Sequence, residues 1–345
     1  MIYVLYSLAI VVPVLLLVFI SKKIARRRKN PLTPFRRFTV KTKHARRYVI
    51  GKDLAVQTIP WEEPNRADTP PLHIGGSGER FSTLTGVWWL DDQRLVVNHR
   101  SGLRLALFDL SQDNPKIGAA EIGHLTDNIA ALRLFENEWE IAVAGCWASA
   151  YSLFIMHDKP GDASSVTFTL KETCAHKSKD FSHGVSYDSE DRLCLAFHTG
   201  ENPRIEIGKA VYKLPAPWGA RDLCFDPLTN CHYAVAVSTN PRRSSYKDVM
   251  TTIWALQKDA AEWYILCGLE NVHSDTCDVY RGRVWIPDQA GDRALGVNIQ
   301  TGAVEIILTG ESFDFPHGLS VSKGGKLAIV NYGSSAMNII DIGNI

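Results

Sequence analysis

Phe315-Pro316-His317-Gly318-Leu319-Ser320-Val321-Ser322, followed by Gly325-Lys326-Leu327-Ala328-Ile329-Val330-Asn331-Tyr332-Gly333 and then Met337-Asn338-Ile339-Ile340-Asp341, is the stretch that decides the fold. Apolar residues alternate at period two in each piece, and Gly, Ser and Asn separate the pieces. The pattern predicts three short antiparallel strands joined by tight turns. A unit this small cannot bury both of its faces, so it needs neighbours of its own kind.

The same rhythm recurs five times upstream. Its copies begin near Leu84-Thr85-Gly86, Asn128-Ile129-Ala130-Ala131, Phe181-Ser182-His183-Gly184, Arg221-Asp222 and Ser274-Asp275-Thr276. Aligned on Gly318, the equivalent positions are Gly86, Ala131, Gly184, Asp222, Thr276 and Gly318, spaced by 45, 53, 38, 54 and 42 residues. A four-stranded propeller blade takes roughly 40–50 residues. The spacing predicts an all-β chain folded as a six-bladed β-propeller over residues 80–345, in preference to a pair of β-sandwiches. An outer fourth strand can be read after each of the first five copies, at 120–123, 166–169, 210–213, 263–266 and 304–307. None follows the sixth. The segment 48–79 is left to supply it, with Tyr48-Val49-Ile50 as the expected closing strand, Leu54-Ala55-Val56 just after it and a Pro- and Gly-rich connector beyond. Closure of this kind hides a sheet edge.

The blade-six string resembles the repeat of YVTN and NHL-type propellers, and the six-blade count resembles the superfamily of gluconolactonases, strictosidine synthases and paraoxonases. Within that resemblance, Leu95-Val96-Val97-Asn98-His99 is similar to the strand of paraoxonase-type lactonases that ends in a catalytic histidine, and Leu125-Thr126-Asp127-Asn128-Ile129 to an Asp-Asn strand that ligates calcium. The resemblance implies a fold and, for activity, a metal-dependent hydrolase of lactonase or esterase type.

Upstream of the repeats the chain is of a different kind. Residues 2–20 are uncharged and almost wholly apolar, long enough to cross a hydrocarbon core, and predict a single-pass anchor at 1–21. Twelve Lys and Arg and no Asp or Glu fall within the basic stalk that follows, 22–47. This bias places that flank, and the propeller with it, on the cytoplasmic side. It also suits anionic lipid headgroups. With the twelve charges set aside, the formal net charge of +1 becomes −11 for the rest of the chain. No aromatic interleaving or motif accompanies the basic run, so nucleic acid is not an expected partner. Seven cysteines without CxxC pairing fit reduced thiols.

The residues opening the inner strands should face one mouth of the central channel. Candidate ligand-binding residues are therefore His183, Arg221, Asp275 and His317, with His273 and Asp127 adjacent. Asn128, His183, Asp275 and His317 are candidate ligands for a divalent cation such as calcium. His99, His183 and His317 are the candidate catalytic residues. The same set could instead hold a carboxylate or phosphate, or only line the channel through water. Two functions are open: a membrane-anchored scaffold that binds a small-molecule ligand or a protein partner, and a metal-dependent hydrolase.

Overall fold

A computed structural model describes residues 33–61, 84–100, 102–145, 148–159, 162–176, 180–199, 202–238 and 249–345. The expected membrane span falls outside them. Among the described residues no helix is long and apolar enough to cross a membrane. The chain divides into two compact units, Met1–Arg37 and Phe38–Ile345. A 3-10 helix covers Thr33–Phe38.

Six separate sheets make up the second unit, and their strand order is that of six propeller blades rather than two stacked sheets. Blade one runs Leu84–Trp89, Arg94–His99, Arg104–Asp109 and Lys116–Glu121. Blade two runs Ile129–Phe135, Glu138–Gly145, Ala150–Lys159 and Asp162–Ala175. Blade three runs Phe181–Tyr187, Leu193–Thr199, Arg204–Ile207 and Ala210–Tyr212. Blade four runs Trp218–Asp226, Cys231–Ser238, Met250–Gln257 and Tyr264–Glu270. Blade five runs Asp278–Tyr280, Arg283–Asp288, Arg293–Asn298 and Val304–Thr309. Blade six holds Pro316–Val321, Lys326–Asn331 and Ala336–Asp341.

The core lies between blades. One apolar layer joins Tyr233, Val235 and Ile253 of blade four to Val284, Ile286 and Leu295 of blade five. Another joins Leu84, Val87 and Leu95 of blade one to Ala328 and Val330 of blade six. Cys194, Cys224, Cys231, Cys267 and Cys277 are buried and free, filling space as small apolar groups.

The ring is closed by the N-terminal region, but not by the strand expected. Val56–Pro60 pairs antiparallel with Ala336–Asp341 as the fourth strand of blade six, in the register Val56↔Ile340 to Pro60↔Ala336. The Tyr48 segment belongs instead to Arg46–Val49, which adds in parallel to Val304–Thr309 as a fifth strand of blade five. A turn separates the two: Gly51 takes φ +83°, its N–H donates to Leu54 O at 2.7 Å, and Asp53 Oδ2 accepts the Val49 N–H at 2.7 Å. Ile50 is buried between blades five and six, which is why this stretch is apolar. Ile59 and Trp61 are buried between blades six and one.

One local irregularity positions the site. The inner strands of blades one, three, four and six each slip register at their start, between Leu84 and Gly86, Ser182 and Gly184, Ala220 and Asp222, and Pro316 and Gly318. Thr85, His183, Arg221 and His317 are the unpaired residues. A bulge re-aims a side chain out of the ladder. In blades one, three and six a glycine follows the bulge and admits the next blade: a Cβ on Gly184 would lie 2.4 Å from Asp222 Oδ1 and 2.5 Å from Asp222 Cα.

Candidate functional site

The side chains of His183, Arg221, Asp275 and His317 converge, as the repeat alignment predicts. Asp275 is the hub. Its Oδ1 lies 3.3 Å from Arg221 Nη1 and 3.1 Å from His273 Nε2. Its Oδ2 accepts from Gln289 Nε2 at 2.8 Å and lies 3.3 Å from His317 Nε2. Asp127 faces it across the cluster, with Oδ2 3.3 Å from His183 Nε2 and Oδ1 3.2 Å from His317 Nε2. Asp127, His183, Asp275 and His317 are all buried.

Two expectations need correction. Asn128 is not in the inward set; Asp127 is. Neighbouring residues in an extended chain point to opposite sides, so an error of one residue exchanges them. Asn128 acts through its backbone, donating its N–H to His183 O at 3.3 Å and accepting from Ala144 N at 2.9 Å. His99 is not in the cluster either. It is fully buried and stacks on Trp61, with ring centroids 5.2 Å apart at 18°, in the layer between blades six and one. Gln289 and Tyr332 lie outside the repeat alignment. Tyr332, just past the second strand of blade six, stacks 4.0 Å from His317.

The hydrogen bonds fix the state of the two imidazoles. His183 Nδ1 faces Arg221 O at 3.0 Å, and His317 Nδ1 faces Thr85 O at 2.7 Å. A carbonyl oxygen only accepts, so each Nδ1 carries a hydrogen. Burial lowers His183 to about 4, with Arg221 adding to the effect and Asp127 and Asp275 opposing it. His183 is therefore neutral near pH 7, and its Nε2 presents a lone pair to the Asp127 carboxylate. His317 differs: burial pushes it down, but Asp127, Asp275 and the Thr85 carbonyl outweigh this and its pKa is raised. Burial alone would raise Asp275; Arg221, His273 and His317 hold it well below the usual carboxylate range.

Acceptor facing acceptor at 3.3 Å is unfavourable unless something positive lies between. Asp127 Oδ1 and His317 Nε2 also find no hydrogen bond of good alignment, although they stand 3.2 Å apart. Ligand atoms of Asp127, His183 and His317 all lie within 4.8 Å of one another. Bonds of ~2.0–2.1 Å in a tetrahedral site set donor atoms ~3.3 Å apart, close to the shorter spacings found here. Nδ1–H bound to a backbone carbonyl is the usual way a ligating histidine is oriented. The residues thus fit a metal ion that takes the place of the titrating proton on His317 Nε2. A donor set of two imidazoles and a carboxylate suits a divalent transition ion better than calcium, which prefers six to eight oxygens.

No protein-family model matches this chain, and no curated protein matches it in sequence. Solved structures do match in fold. A Bacteroides thetaiotaomicron protein of unknown function superposes with TM-score 0.57 at 15% identity, over 83% of this chain and 75% of that one. The PQQ-bound aldose sugar dehydrogenase of Streptomyces coelicolor gives 0.55 at 11%, over 83% and 98%. Virginiamycin B lyase of Staphylococcus aureus gives 0.51 at 10%, over 84% and 99%. The likeness is one of fold: this chain is a six-bladed β-propeller, an architecture that also carries enzymes.

Proposed function

We propose that this chain is a membrane-tethered propeller whose axial cluster holds a divalent transition-metal ion through Asp127, His183 and His317, with Asp275 beside it, and presents that ion to a small ligand. One observation carries the reading: the neutral His183 turns its Nε2 lone pair on the Asp127 carboxylate, at 3.3 Å, inside a buried site. Three protein donors would leave a coordination position for the ligand, and Arg221 and His273 would orient an anionic group there. Anchoring by residues 1–21 with the propeller on the cytoplasmic side, and contact of the basic stalk with anionic lipid, are supported by the charge bias of the sequence.

A metal-dependent hydrolase is the second reading, favoured by the same open three-donor set; the ion would supply Lewis-acid polarisation of a carbonyl. Elemental analysis of the purified full-length chain tests the shared premise. Near-stoichiometric zinc, manganese, iron, cobalt or nickel is expected, lost in His183→Ala and His317→Ala. No bound metal, with no thermal shift on adding those ions, would sink it. A panel of esters and lactones, assayed with and without chelator, then separates binding from hydrolysis. For topology, a reporter fused after Ile345 should be active only as a cytoplasmic reporter.

A further inference from the structure

The basic stalk does not stop where the ring begins: its second half is built into the ring. Thr39 forms a parallel bridge to Gly268 on the outer strand of blade four, and the Val40 N–H donates to Gly268 O at 3.0 Å. A turn follows, in which the Ala45 N–H donates to Thr42 O at 3.2 Å. Arg46 and Arg47 then pair with Ile306 and Ile307 in the fifth strand of blade five. The stretch 38–49 thus lies along the outer edges of two adjacent blades, at the side of the ring rather than at a mouth of its channel.

Lys41, Lys43, Arg46 and Arg47 are all exposed on this strip. Even fully extended, the chain from Lys41 to Arg47 covers only about 20 Å. Among the described residues none of the four is ion-paired. The strip itself holds no acid, and Lys52 and Asp53 offset each other in the turn beyond it. The two strands beneath, Tyr264–Glu270 and Val304–Thr309, bring two acids, Glu270 and Glu305. Glu305 is answered by Arg283 at 2.8 Å and by Asn298 at 2.9 Å. Residues 54–345 carry a formal −11, so the strip is a basic exception on an acidic ring. Val49, 40% exposed, and the half-buried Tyr48 add apolar surface beside the two arginines.

We propose that this strip is the face the ring turns to an anionic bilayer surface. Headgroup phosphates and carboxylates would sit on the four cations, and the acidic remainder of the ring would be repelled by the same charge. The ring then stands edge-on, with blades four and five toward the lipid and both channel mouths facing sideways. Such docking rests on the membrane tether proposed above, which leaves residues 22–37 between the expected span and the strip, and is independent of the axial ion.

The test reconstitutes the full-length chain into nanodiscs, one set of phosphatidylcholine alone and one containing about a third phosphatidylserine. Exposed lysines are acetylated with a water-soluble reagent and read by peptide mass spectrometry. Lys41 and Lys43 should react about fivefold more slowly in the phosphatidylserine discs, and the difference should vanish at high salt. Lys159 and Lys209, exposed on blades two and three, should react alike in both. Equal rates for Lys41 and Lys43 in the two discs, or protection of Lys159 and Lys209 instead, would overturn the proposal. So would the same protection conferred by inorganic phosphate in phosphatidylcholine discs, which would assign the strip to a soluble anion. A chain that stays soluble and outside the discs would refute the tether alone. Co-sedimentation with phosphatidylserine vesicles, abolished in the variant Lys41→Gln, Lys43→Gln, Arg46→Gln, Arg47→Gln, would then uphold the strip, and its absence would overturn it.

Discussion

Replacing Gly318 with alanine tests how tightly the inner strands converge. The new Cβ would meet Thr85 O at 2.4 Å, Val330 Cγ2 at 2.6 Å and the Gly86 Cα at 3.0 Å. The first and third belong to the backbone of blade one, so no rotamer change relieves them. Blade six must move away from blade one, and the His317 Nδ1–H bond to Thr85 O, 2.7 Å long, must stretch. Overpacking a filled core costs about 1–3 kcal/mol, and losing one buried hydrogen bond about 1 kcal/mol. The expected loss is therefore about 2–4 kcal/mol in equilibrium urea unfolding followed by tryptophan fluorescence. Gly123→Ala is the control, because its Cβ would meet nothing within 4 Å; it should change stability by less than about 0.5 kcal/mol. A Gly318→Ala loss no larger than that of the control would refute the convergence of the two strands.

Acidification should destabilise the propeller. His183 and His232 are each lowered to about 4 and His198 is held well below the ordinary imidazole value, in every case chiefly by burial. The unfolded chain therefore takes up these protons first, near pH 6.5. Stability is full above that pH and lost as pH falls toward 4, by up to ~3 kcal/mol for His183 alone. His317, raised, works in the opposite direction; a urea midpoint higher at pH 5 than at pH 7.5 would contradict this balance. Arg94→Ala leaves Asp158, 1% exposed, without the guanidinium it pairs with, and should cost about 3–5 kcal/mol. Arg94→Met with Asp158→Leu should recover much of this in the same unfolding assay. Removing residues 1–32 should leave a cooperatively unfolding domain, whereas removing 1–61 strips Val56–Pro60 from blade six and should give an aggregating one on gel filtration.

The blades were legible because every copy repeats the same alternation, and a one-residue slip would turn a whole strand inside out. The closing strand was not. Tyr48-Val49-Ile50 and Val56–Pro60 are both short and apolar enough to finish a sheet, and choosing between them depends on the Gly51 turn and on a parallel pairing that no repeat announces. Four axial side chains followed from alignment on Gly318, since their bulges sit at equivalent places in the blades or, for Asp275, just before a short inner strand. Asp127 was displaced by one because blade two begins without a bulge of that kind. Gln289 and Tyr332 reach the cluster from beyond second strands, where the repeat carries no marker. His99 shows the opposite failure: a strand that resembles a catalytic one delivers its histidine onto Trp61.

The closing pair also sets a timetable. Val56 and Ile340 are register partners 284 residues apart, so at a synthesis rate of about 5–20 residues per second the earlier strand waits ~15–60 s for its mate. Blades one to four can assemble within this interval from residues that emerge together. Throughout it, Ile59 and Trp61 have no blade six to cover them. The final join must also gather in nearly the whole chain, a distant loop closure of the sort that slows folding. A nascent chain halted before residue 336 would therefore carry a sticky, unclasped end, and a holding chaperone would find its target at the oldest residues of the ring rather than the newest.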